Sequence, residues 1–292
     1  MNLPENVKNA FPIRELDLNK RTVGTVTIIG GSPHFIHAPV IAALGARSAG
    51  AGLVQLVVPD SSRLVAGSHV PEATFTKLTP TCVPPKADVT VLGMGLGVSM
   101  VTELLVSRFL SGAAGRFVLD ADALNILAKW YAPKSGTLPV TPGQEIILTP
   151  HEGEAARLLG KSPESVHANR MGAAVAISRK YHAVTVLKGA HTVVAAPGDE
   201  ECDVTVCEAG NPQMALGGMG DLLAGAVAAR WARLVHVEPS PTLSIAKAAA
   251  GAAVWLHAAA ADELVAGDAP VEPNVVNVAA KMASLRILAE RG

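Results

Sequence analysis

Short runs of apolar, often β-branched residues recur along much of the chain, with longer mixed segments between them. The runs have the length of buried strands, and the segments have the length of helices. The pattern predicts strands at residues 25–30, 53–59, 89–93, 117–120, 146–149 and 184–188. It predicts helices at residues 38–49, 100–110, 153–159 and 166–180. This alternation of strand and helix is typical of a mainly parallel sheet.

The pattern changes after residue 188. Two β-rich segments, residues 192–196 and 204–208, flank the turn-rich Pro197-Gly198-Asp199 and predict a β-hairpin at one edge of the sheet. Three helices are predicted after the hairpin, at residues 222–234, 243–261 and 275–289. We find no low-complexity linker and therefore predict one α/β domain over residues 1–292.

Composition narrows the choice of partner. The 292 residues are 49% hydrophobic but only 3% aromatic, which favours buried parallel strands packed against helices of small residues. The formal net charge is -1 and no basic run occurs, which argues against a nucleic-acid or anionic-membrane surface. Lys247 and His257 interrupt the apolar residues 245–261, so this segment predicts a buried helix rather than a membrane span. We expect a small-molecule partner.

The cysteines and the N-terminal residues bear on the compartment. Cys82, Cys202 and Cys207 are odd in number and show no Cys-x-x-Cys spacing, so neither a disulfide framework nor a zinc site is expected. Residues 1–6 contain neither the basic nor the apolar stretch of a secretory signal. These features predict a reducing, cytoplasmic location.

Glycine-rich or polar segments follow the predicted strands. In an open α/β sheet, ligands bind beyond the carboxyl ends of the strands, so these segments are the candidate site. In chain order they are Gly30-Gly31-Ser32, Gly93-Met94-Gly95-Leu96-Gly97, Asp120-Ala121-Asp122, Thr149-Pro150-His151-Glu152-Gly153-Glu154, Lys188-Gly189-Ala190-His191-Thr192 and Gly217-Gly218-Met219-Gly220-Asp221.

The last of these segments precedes a predicted helix. Glycines at a helix N-terminus let backbone N–H groups converge on one point, where the helix adds about half a positive charge. Gly217, Gly218, Met219 and Gly220 therefore suit an anion-binding turn, with Asp221 as the base that takes a proton from a substrate hydroxyl. The alternative is a tight turn in which Asp221 only caps the helix. The residues alone leave both interpretations open.

Three other side chains are candidates for the same site. Lys188 ends a strand and suits a nucleotide phosphate, although a lone lysine in that position is usually solvated. Glu154 suits Mg²⁺, which commonly takes one or two carboxylates, although acidic residues here also complement a helix N-terminus. His151 would face a ligand in the same crevice.

Taken in order, these loops resemble the ribokinase-like superfamily. Within it they resemble the ADP/ATP-dependent NAD(P)H-hydrate dehydratases, the YjeF C-terminal domain family, from about Gly24 to the C-terminus. The segments that carry the resemblance are Ile29-Gly30-Gly31-Ser32, Ala49-Gly50-Ala51-Gly52-Leu53-Val54, Gly93-Met94-Gly95-Leu96-Gly97, Val118-Leu119-Asp120-Ala121-Asp122-Ala123-Leu124, Leu148-Thr149-Pro150-His151-Glu152-Gly153-Glu154, Leu187-Lys188-Gly189, Asn211-Pro212 and the glycine turn. The histidine after Thr149-Pro150 separates this family from similar vitamin kinases, which carry asparagine there. The resemblance implies a three-layer α/β/α sandwich with an antiparallel edge hairpin.

The resemblance also implies a repair reaction. NADHX and NADPHX, the C6 hydrates of the reduced nicotinamide cofactors, lose water at the expense of ADP or ATP, with release of AMP or ADP and phosphate. By this resemblance, the residues expected to contact the hydrate are Ala38, Gly95, His151 and Asp221. The residues expected to bind the nucleotide are Lys188, Gly189, Ala190, His191, Thr192 and Gly220. Glu154 matches the acidic position that is linked to Mg²⁺ in related kinases.

Some positions depart from the family pattern. His37-Ala38 stands where Gly-Ala is usual, Gln213 replaces a glycine, and Met219 replaces a threonine whose hydroxyl the turn therefore lacks. These departures bear on nucleotide preference and rate. The family's epimerase domain has no counterpart in residues 1–23, so we expect a separate NAD(P)HX epimerase. The resemblance also implies a homo-oligomer, a tetramer in relatives.

Two other functions remain open from the residues. A kinase of the same superfamily would phosphorylate a vitamin precursor such as hydroxymethylpyrimidine, although His151 and Asp120-Ala121-Asp122 argue against it. A catalytically silent nucleotide-binding protein would account for the departures at Gln213 and Met219. A stable phosphorylated product would favour the first of these, and nucleotide binding without turnover would favour the second.

Overall fold

The structure, a computed structural model, describes residues 4–112, 114–130, 143–238, 243–266 and 269–291. They fold around one nine-stranded sheet. The strands are β1 (Thr25–Ile29), β2 (Leu53–Val58), β3 (Thr74–Lys77), β4 (Val89–Leu92), β5 (Arg116–Leu119), β6 (Glu145–Leu148), β7 (Val184–Leu187), β8 (Val193–Ala195) and β9 (Thr205–Val206).

The strand order is β3-β2-β1-β4-β5-β6-β7-β8-β9. The strands from β1 to β7 pair in parallel, while β8 is antiparallel to β7 and β9 is antiparallel to β8. The predicted mainly parallel sheet with an antiparallel edge hairpin is thus confirmed. The chain reverses its direction of winding between β1 and β4, and such a switch point leaves a crevice at the strands' carboxyl ends.

Helices cover both faces of the sheet. They are α1 (Glu5–Lys8), α2 (Lys20–Val23), α3 (Ala38–Ser48), α4 (Asp60–His69), α5 (Met100–Leu110), α6 (Asp122–Trp130), α7 (Glu152–Leu159), α8 (Pro163–Ala168), α9 (Arg170–Tyr181), α10 (Met219–Val237), α11 (Leu243–Val265) and α12 (Val275–Ala289).

Alternate residues of a strand enter two different cores. Ile28 packs in a core that includes residues of α3, α10, α11 and α12. Its neighbour Ile29 packs in a second core that includes residues of α5, α6, α7 and α9. Because successive side chains point to opposite faces, strands covered on both sides consist of nearly continuous apolar residues. This burial explains why the apolar runs predicted the central strands.

The structure corrects several predicted helix and strand boundaries. The single helix predicted at residues 166–180 is two helices, α8 and α9, because Asn169 leaves the helical conformation and its side chain caps α9. The last strand of the predicted hairpin is reduced to Thr205–Val206. Helix α10 begins at Met219, so Met219, Gly220 and Asp221 form its first turn instead of preceding it.

Helices α3 and α10 cross at two glycines. A Cβ atom on Gly45 of α3 would lie 1.9 Å from the carbonyl oxygen of Leu222, and one on Gly225 of α10 would lie 1.8 Å from that of Ala42. Only glycine permits this approach of two backbones. The crossing fixes the N-terminus of α10 relative to α3.

Helix α11 fills the space between α10 and α12. Among the described residues it is the one helix long and apolar enough to cross a membrane, but 61% of its most apolar window is buried inside the protein. Its Lys247 forms an ion pair with Asp199 at 2.6 Å. The prediction of a buried helix in this segment is therefore confirmed.

Candidate active site

Lys188 lies among carboxylates at the strand ends. Its Nζ is 2.6 Å from Oδ1 of Asp120 and 3.9 Å from Oε2 of Glu154. Burial by itself would lower the pKa of Lys188, but the charges of Asp120 and Glu154 raise it above its ordinary value. Lys188 is therefore a fixed positive charge at neutral pH, not a solvated strand-end lysine.

Asp120 connects three of the strand-end loops. It is 2% exposed, and its Oδ1 accepts hydrogen bonds from Lys188 Nζ and, at 2.8 Å, from Thr149 Oγ1. Asp122 extends the connection, because its Oδ2 accepts a hydrogen bond from the amide of Gly97 at 2.7 Å. The two aspartates thus join the loops that follow β4, β5, β6 and β7.

Asp221 approaches this cluster from the first turn of α10. The N-cap residue is Gly218, with a left-handed φ of 91°, and no side chain of the described chain caps the helix. Asp221 is therefore not the helix cap, and the leading amides of α10 have no intrahelical acceptor. Met219 is 5% exposed and packs in the core, and it also borders the cavity beside Lys188.

The environment of Asp221 makes it a weak acid. Burial raises its pKa to about 7, the negative charge of Asp120 adds to this, and the positive charge of Lys188 opposes it. A carboxylate with a pKa near neutrality can both accept and release a proton under physiological conditions. This geometry suits general-base catalysis.

His151 and Glu154 form a capping box at the start of α7. Nδ1 of His151 accepts hydrogen bonds from the amides of Gly153 and Glu154, while Glu154 Oε2 accepts one from the His151 amide at 2.8 Å. Burial, with the charges of Lys188 and Arg157, lowers the pKa of His151. Burial also raises the pKa of Glu154 to about 7. His151 thus has Nδ1 engaged by backbone amides, and its Nε2 lies 3.5 Å from Oε1 of Glu154.

The donor set suits Mg²⁺ only in combination with phosphate. No three His, Cys, Asp or Glu side chains in the described part of the chain are placed to hold a metal by themselves. Asp120, Glu154 and Asp221 nevertheless repel one another around Lys188, and a cation would relieve that repulsion. Because Mg²⁺ often completes its shell with water and phosphate oxygens, the site fits a metal that arrives with a nucleotide.

Ala38 and Gly95 lie close together, next to the segment that contains the glycine turn. A Cβ atom on Gly95, whose φ is 66°, would be 2.6 Å from Cβ of Phe35 and 3.2 Å from Cβ of Ala38. Ala38 begins α3, and a Cβ atom on Gly218 would lie 2.8 Å from Cδ1 of Ile41 in the same helical turn. The segments predicted to contact the hydrate therefore adjoin the segment that carries Asp221.

A cavity of about 630 Å³ opens beside Lys188. This volume is within the range of small-molecule sites. The residues predicted to bind the nucleotide line it, namely Lys188, Gly189, Ala190, His191, Thr192 and Gly220. Gly217, in contrast, is exposed and does not line it. His191 lies near the rim, with its Nδ1 3.0 Å from Oε2 of Glu208 and both side chains exposed.

Sequence reasoning missed the wall of the cavity opposite β7. This wall contains Gly210 and Asn211, which donate to the carboxylate of Asp262 on α11 at 2.7 and 2.9 Å. It also contains His257, which lies five residues before Asp262 on α11. Asn211 belongs to the Asn211-Pro212 segment noted in the sequence, but its pairing with Asp262 was not predicted, because 51 positions separate the two residues.

Comparisons with known proteins agree with this geometry. A family model described as NAD(P)H-hydrate dehydratase matches residues 26–279. An ADP-dependent (S)-NAD(P)H-hydrate dehydratase of Neisseria meningitidis serogroup B is 36% identical over 87% of this chain and 81% of its own length. A bifunctional NAD(P)H-hydrate repair enzyme of Gloeobacter violaceus is 36% identical over 90% of this chain and 50% of its own length. The chain spans about half the length of the bifunctional relatives it matches.

Solved structures share the fold over nearly the whole chain. An ADP/ATP-dependent NAD(P)H-hydrate dehydratase from Bacillus subtilis, co-crystallised with ATP/Mg²⁺, has a TM-score of 0.81 and 26% identity and covers 99% of this chain and 100% of that chain. A ribokinase-like superfamily protein from Enterococcus faecalis has a TM-score of 0.80 and 21% identity. The match covers 99% of this chain and 95% of that chain. The expected ribokinase-like fold is therefore confirmed.

Proposed function

Because the chain belongs to the NAD(P)H-hydrate dehydratase family, we propose that it is an ADP- or ATP-dependent dehydratase of (S)-NAD(P)H hydrates. Its substrates are NADHX and NADPHX, and its products are NADH or NADPH, AMP or ADP, and phosphate. The observation that carries the proposal is the placement of Asp221. Asp221 follows Gly220, which lines the cavity, and Gly218 at the start of the same turn packs against Ile41 of the helix that begins at Ala38. Burial and the charge of Asp120 raise the pKa of this carboxyl to about 7.

The first proposed step transfers a phosphoryl group to the hydrate. Asp221 takes the proton of the C6 hydroxyl, and the hydroxyl oxygen attacks the terminal phosphorus of ADP or ATP. The bond from that phosphorus to its bridging oxygen breaks, leaving AMP or ADP. Lys188 and the leading amides of α10 would stabilise the charge on the transferring group, which is the main task in such reactions.

The second proposed step is elimination. Phosphate is a better leaving group than hydroxide, so the C6–O bond breaks and inorganic phosphate departs with the bonding electrons. The neighbouring ring carbon, C5, loses a proton to water, and the electrons of that C–H bond form the C5–C6 double bond of the reduced nicotinamide. Ala38, Gly95 and His151 are proposed to hold the hydrate.

We assign Mg²⁺ to Glu154 together with phosphate oxygens of the nucleotide. When bound there, the ion would neutralise negative charge on those oxygens. Glu154 is suited to this role because its raised pKa reflects burial near other carboxylates. A cation would favour its ionised form, and the pKa of Glu154 should fall when Mg²⁺ and nucleotide are present.

The proposed setting is metabolite repair in the cytoplasm, with an NAD(P)HX epimerase acting in the same pathway. A homo-oligomer is also proposed. Apolar side chains at the start of α5 support it, since Met100 is 78% exposed and Leu104 is 66% exposed. Isolated exposed apolar residues are common on monomers, but Met100 and Leu104 are four residues apart on one face of α5, which a second subunit would cover in the proposed homo-oligomer.

The test is an absorbance assay on purified protein. NADHX is mixed with the protein, MgCl₂ and ADP or ATP, and NADH absorbance and free phosphate are both measured. We expect both signals to rise together, at equal molar amounts, and only with nucleotide present. Stable phosphorylated product without NADH would indicate a kinase, and nucleotide binding without either signal would indicate a silent binding protein.

A further inference from the structure

Arg170, the first residue of α9, connects two loops of the candidate site from outside the cavity. Its side chain is only 15% exposed. Nη1 donates to Oε1 of Glu152, and Nη2 donates to the carbonyl oxygen of Leu187 at 3.0 Å. Glu152 follows His151 in the chain, and Leu187 precedes Lys188. Arg170 therefore bridges the loop proposed to hold the hydrate and the loop proposed to hold the nucleotide.

The guanidinium also packs against the backbone of the nucleotide loop. Gly189 has a φ of 145°, and a Cβ atom on it would lie 2.8 Å from Nη1 and 3.0 Å from Nη2 of Arg170. Gly189 itself lines the cavity. The guanidinium thus supports, from behind, a part of the cavity wall that consists of backbone alone.

A backbone hydrogen bond joins the same two loops at a second point. The amide of Lys188 donates to the carbonyl oxygen of Pro150 at 2.8 Å. One such bond would leave the loops free to pivot about it. The bridge through Arg170 adds a second linkage at a different point, so together the two fix the relative orientation of the loops.

The stability of α9 does not explain an arginine at this position. A cation at a helix N-terminus opposes the helix dipole. Asn169 already caps the helix, because its side chain accepts a hydrogen bond from the Gly172 amide at 2.8 Å. Nε of Arg170 is buried and has no hydrogen-bond partner within the described ranges, which is a further cost. The contacts of Arg170 with the two loops are its remaining role.

We propose that Arg170 is a positioning residue, which holds residues 187–189 against the first turn of α7 and so aligns the terminal phosphate of the nucleotide with the hydroxyl of the hydrate. The inference rests on the proposed function, which places the two substrates on these two loops. A misalignment of about 1 Å between reacting groups can cost about 100-fold in rate. Nucleotide affinity depends less on this alignment, because Asp120 and Glu154 still hold the ammonium group of Lys188.

The first experiment compares Arg170→Met with Arg179→Met, by steady-state kinetics with NADHX, ADP and MgCl₂ and by calorimetry with ADP. Arg179 is the matched control, because it also lies on α9 and donates to a carboxylate, of Glu200, and to a carbonyl oxygen, of Asp199 at 2.9 Å. Neither partner lines the cavity. We expect kcat of Arg170→Met to fall about 100-fold, while its Kd for ADP stays within about threefold of wild type. Arg179→Met should keep kcat within about twofold, as for a change remote from the chemistry.

A second pair of measurements separates geometry from charge. Arg170 is not among the charged groups that shift the pKa of Asp221. The midpoint of the pH profile of kcat/KM should therefore stay near 7 in Arg170→Met, while the plateau falls. Arg170→Lys keeps the charge but lacks the planar fork that reaches both partners. Its kcat should lie between those of wild type and Arg170→Met.

Folding is checked by circular dichroism and urea unfolding. Glu152 keeps its contact with Nδ1 of His167 at 3.1 Å, so Arg170→Met does not leave this carboxylate without a partner. If Arg170→Met nevertheless fails to fold, Arg170→Lys against Arg179→Lys gives the comparison. We then expect kcat of Arg170→Lys to be at least about fivefold below that of Arg179→Lys, at equal Kd for ADP.

The outcomes distinguish the inference from the function on which it rests. If wild type converts NADHX and folded Arg170→Met does so at the same kcat, the inference is wrong and the proposed function stands. The inference is also wrong if the Kd for ADP rises as much as kcat falls, if the pH midpoint moves, or if Arg170→Lys has full activity. If wild type converts no NADHX with ADP or ATP, the proposed function fails and the inference fails with it.

Discussion

At the scale of single residues, Asp120, Glu154 and Asp221 surround the one ammonium group of Lys188. Two of these carboxylates, Glu154 and Asp221, have pKa values of about 7 because burial disfavours their ionised forms. Such a cluster lowers the stability of the fold as pH rises from about 4 to about 7, because the unfolded chain releases both protons in that range while the folded chain retains them. Proteins tolerate this at active sites, where the same repulsion raises the basicity of a catalytic carboxylate.

Asp221→Asn tests the assignment of the base. The substitution keeps the shape of the side chain but cannot accept a proton, so turnover should fall by about 10²–10⁴-fold. The Kd for ADP should be unchanged or slightly lower, because one negative charge near the phosphates is removed. Steady-state kinetics and calorimetry measure the two effects. Asp17→Asn, at an exposed position, is the control, and near-wild-type turnover in Asp221→Asn would show that another group takes the proton.

The pH dependence follows from the same carboxylate. Asp221 acts as a base only when ionised, so kcat/KM should fall as pH drops through about 7 and level off at higher pH. Glu154→Gln removes a charge that raises the pKa of Asp221, so the midpoint should move to lower pH. Profiles from pH 5.5 to 9 check this, with the exposed Glu15→Gln as control. A flat wild-type profile below pH 7 contradicts the assignment.

At the scale of elements, helix α10 connects the core to the chemistry. Its first turn presents Gly220 and Asp221, and its middle is fixed by Arg230, which is fully buried and donates to Glu290 at 2.8 Å. The crossing with α3 sets the distance between this turn and Ala38. A small displacement of α10 would therefore move the base relative to the hydrate.

Substitution of the crossing glycines tests how far α10 depends on α3. Gly225→Ala and Gly45→Ala place a Cβ atom against a backbone carbonyl, so each should lower the free energy of unfolding by about 3 kcal/mol. Gly67→Ala in α4 is the matched control, because a Cβ atom there meets nothing within 4 Å and alanine favours a helix. Urea unfolding measures all three. Equal stability of Gly225→Ala and Gly67→Ala would mean that the helices separate without penalty.

At the scale of the whole molecule, strands buried on both faces and the edge hairpin were predictable, whereas the edge strand β3 was not. The runs around Ile28 and Leu92 are apolar because both sheet faces are covered, whereas β3 is half-buried or exposed at the edge and was missed. The candidate residues at strand ends were predictable because parallel strands bring their carboxyl ends together. Asp262 was not predictable as a residue of the site, because it acts by binding the loop at Gly210 and Asn211, which is distant in sequence.

The site also joins the two cores of the molecule. Asp120 lies between β5 and α6, and Glu154 lies in the first turn of α7. Both helices pack in one core, while Gly220 and Leu223 belong to α10 in the other. A nucleotide held between them should therefore shift unfolding as one cooperative transition, by about 2.7 kcal/mol when ADP is at 100 times its Kd. Urea melts followed by circular dichroism and tryptophan fluorescence measure this at constant MgCl₂, with potassium sulfate of matched ionic strength as control. Two transitions, of which ADP shifts only one, would show that the two faces of the sheet unfold separately.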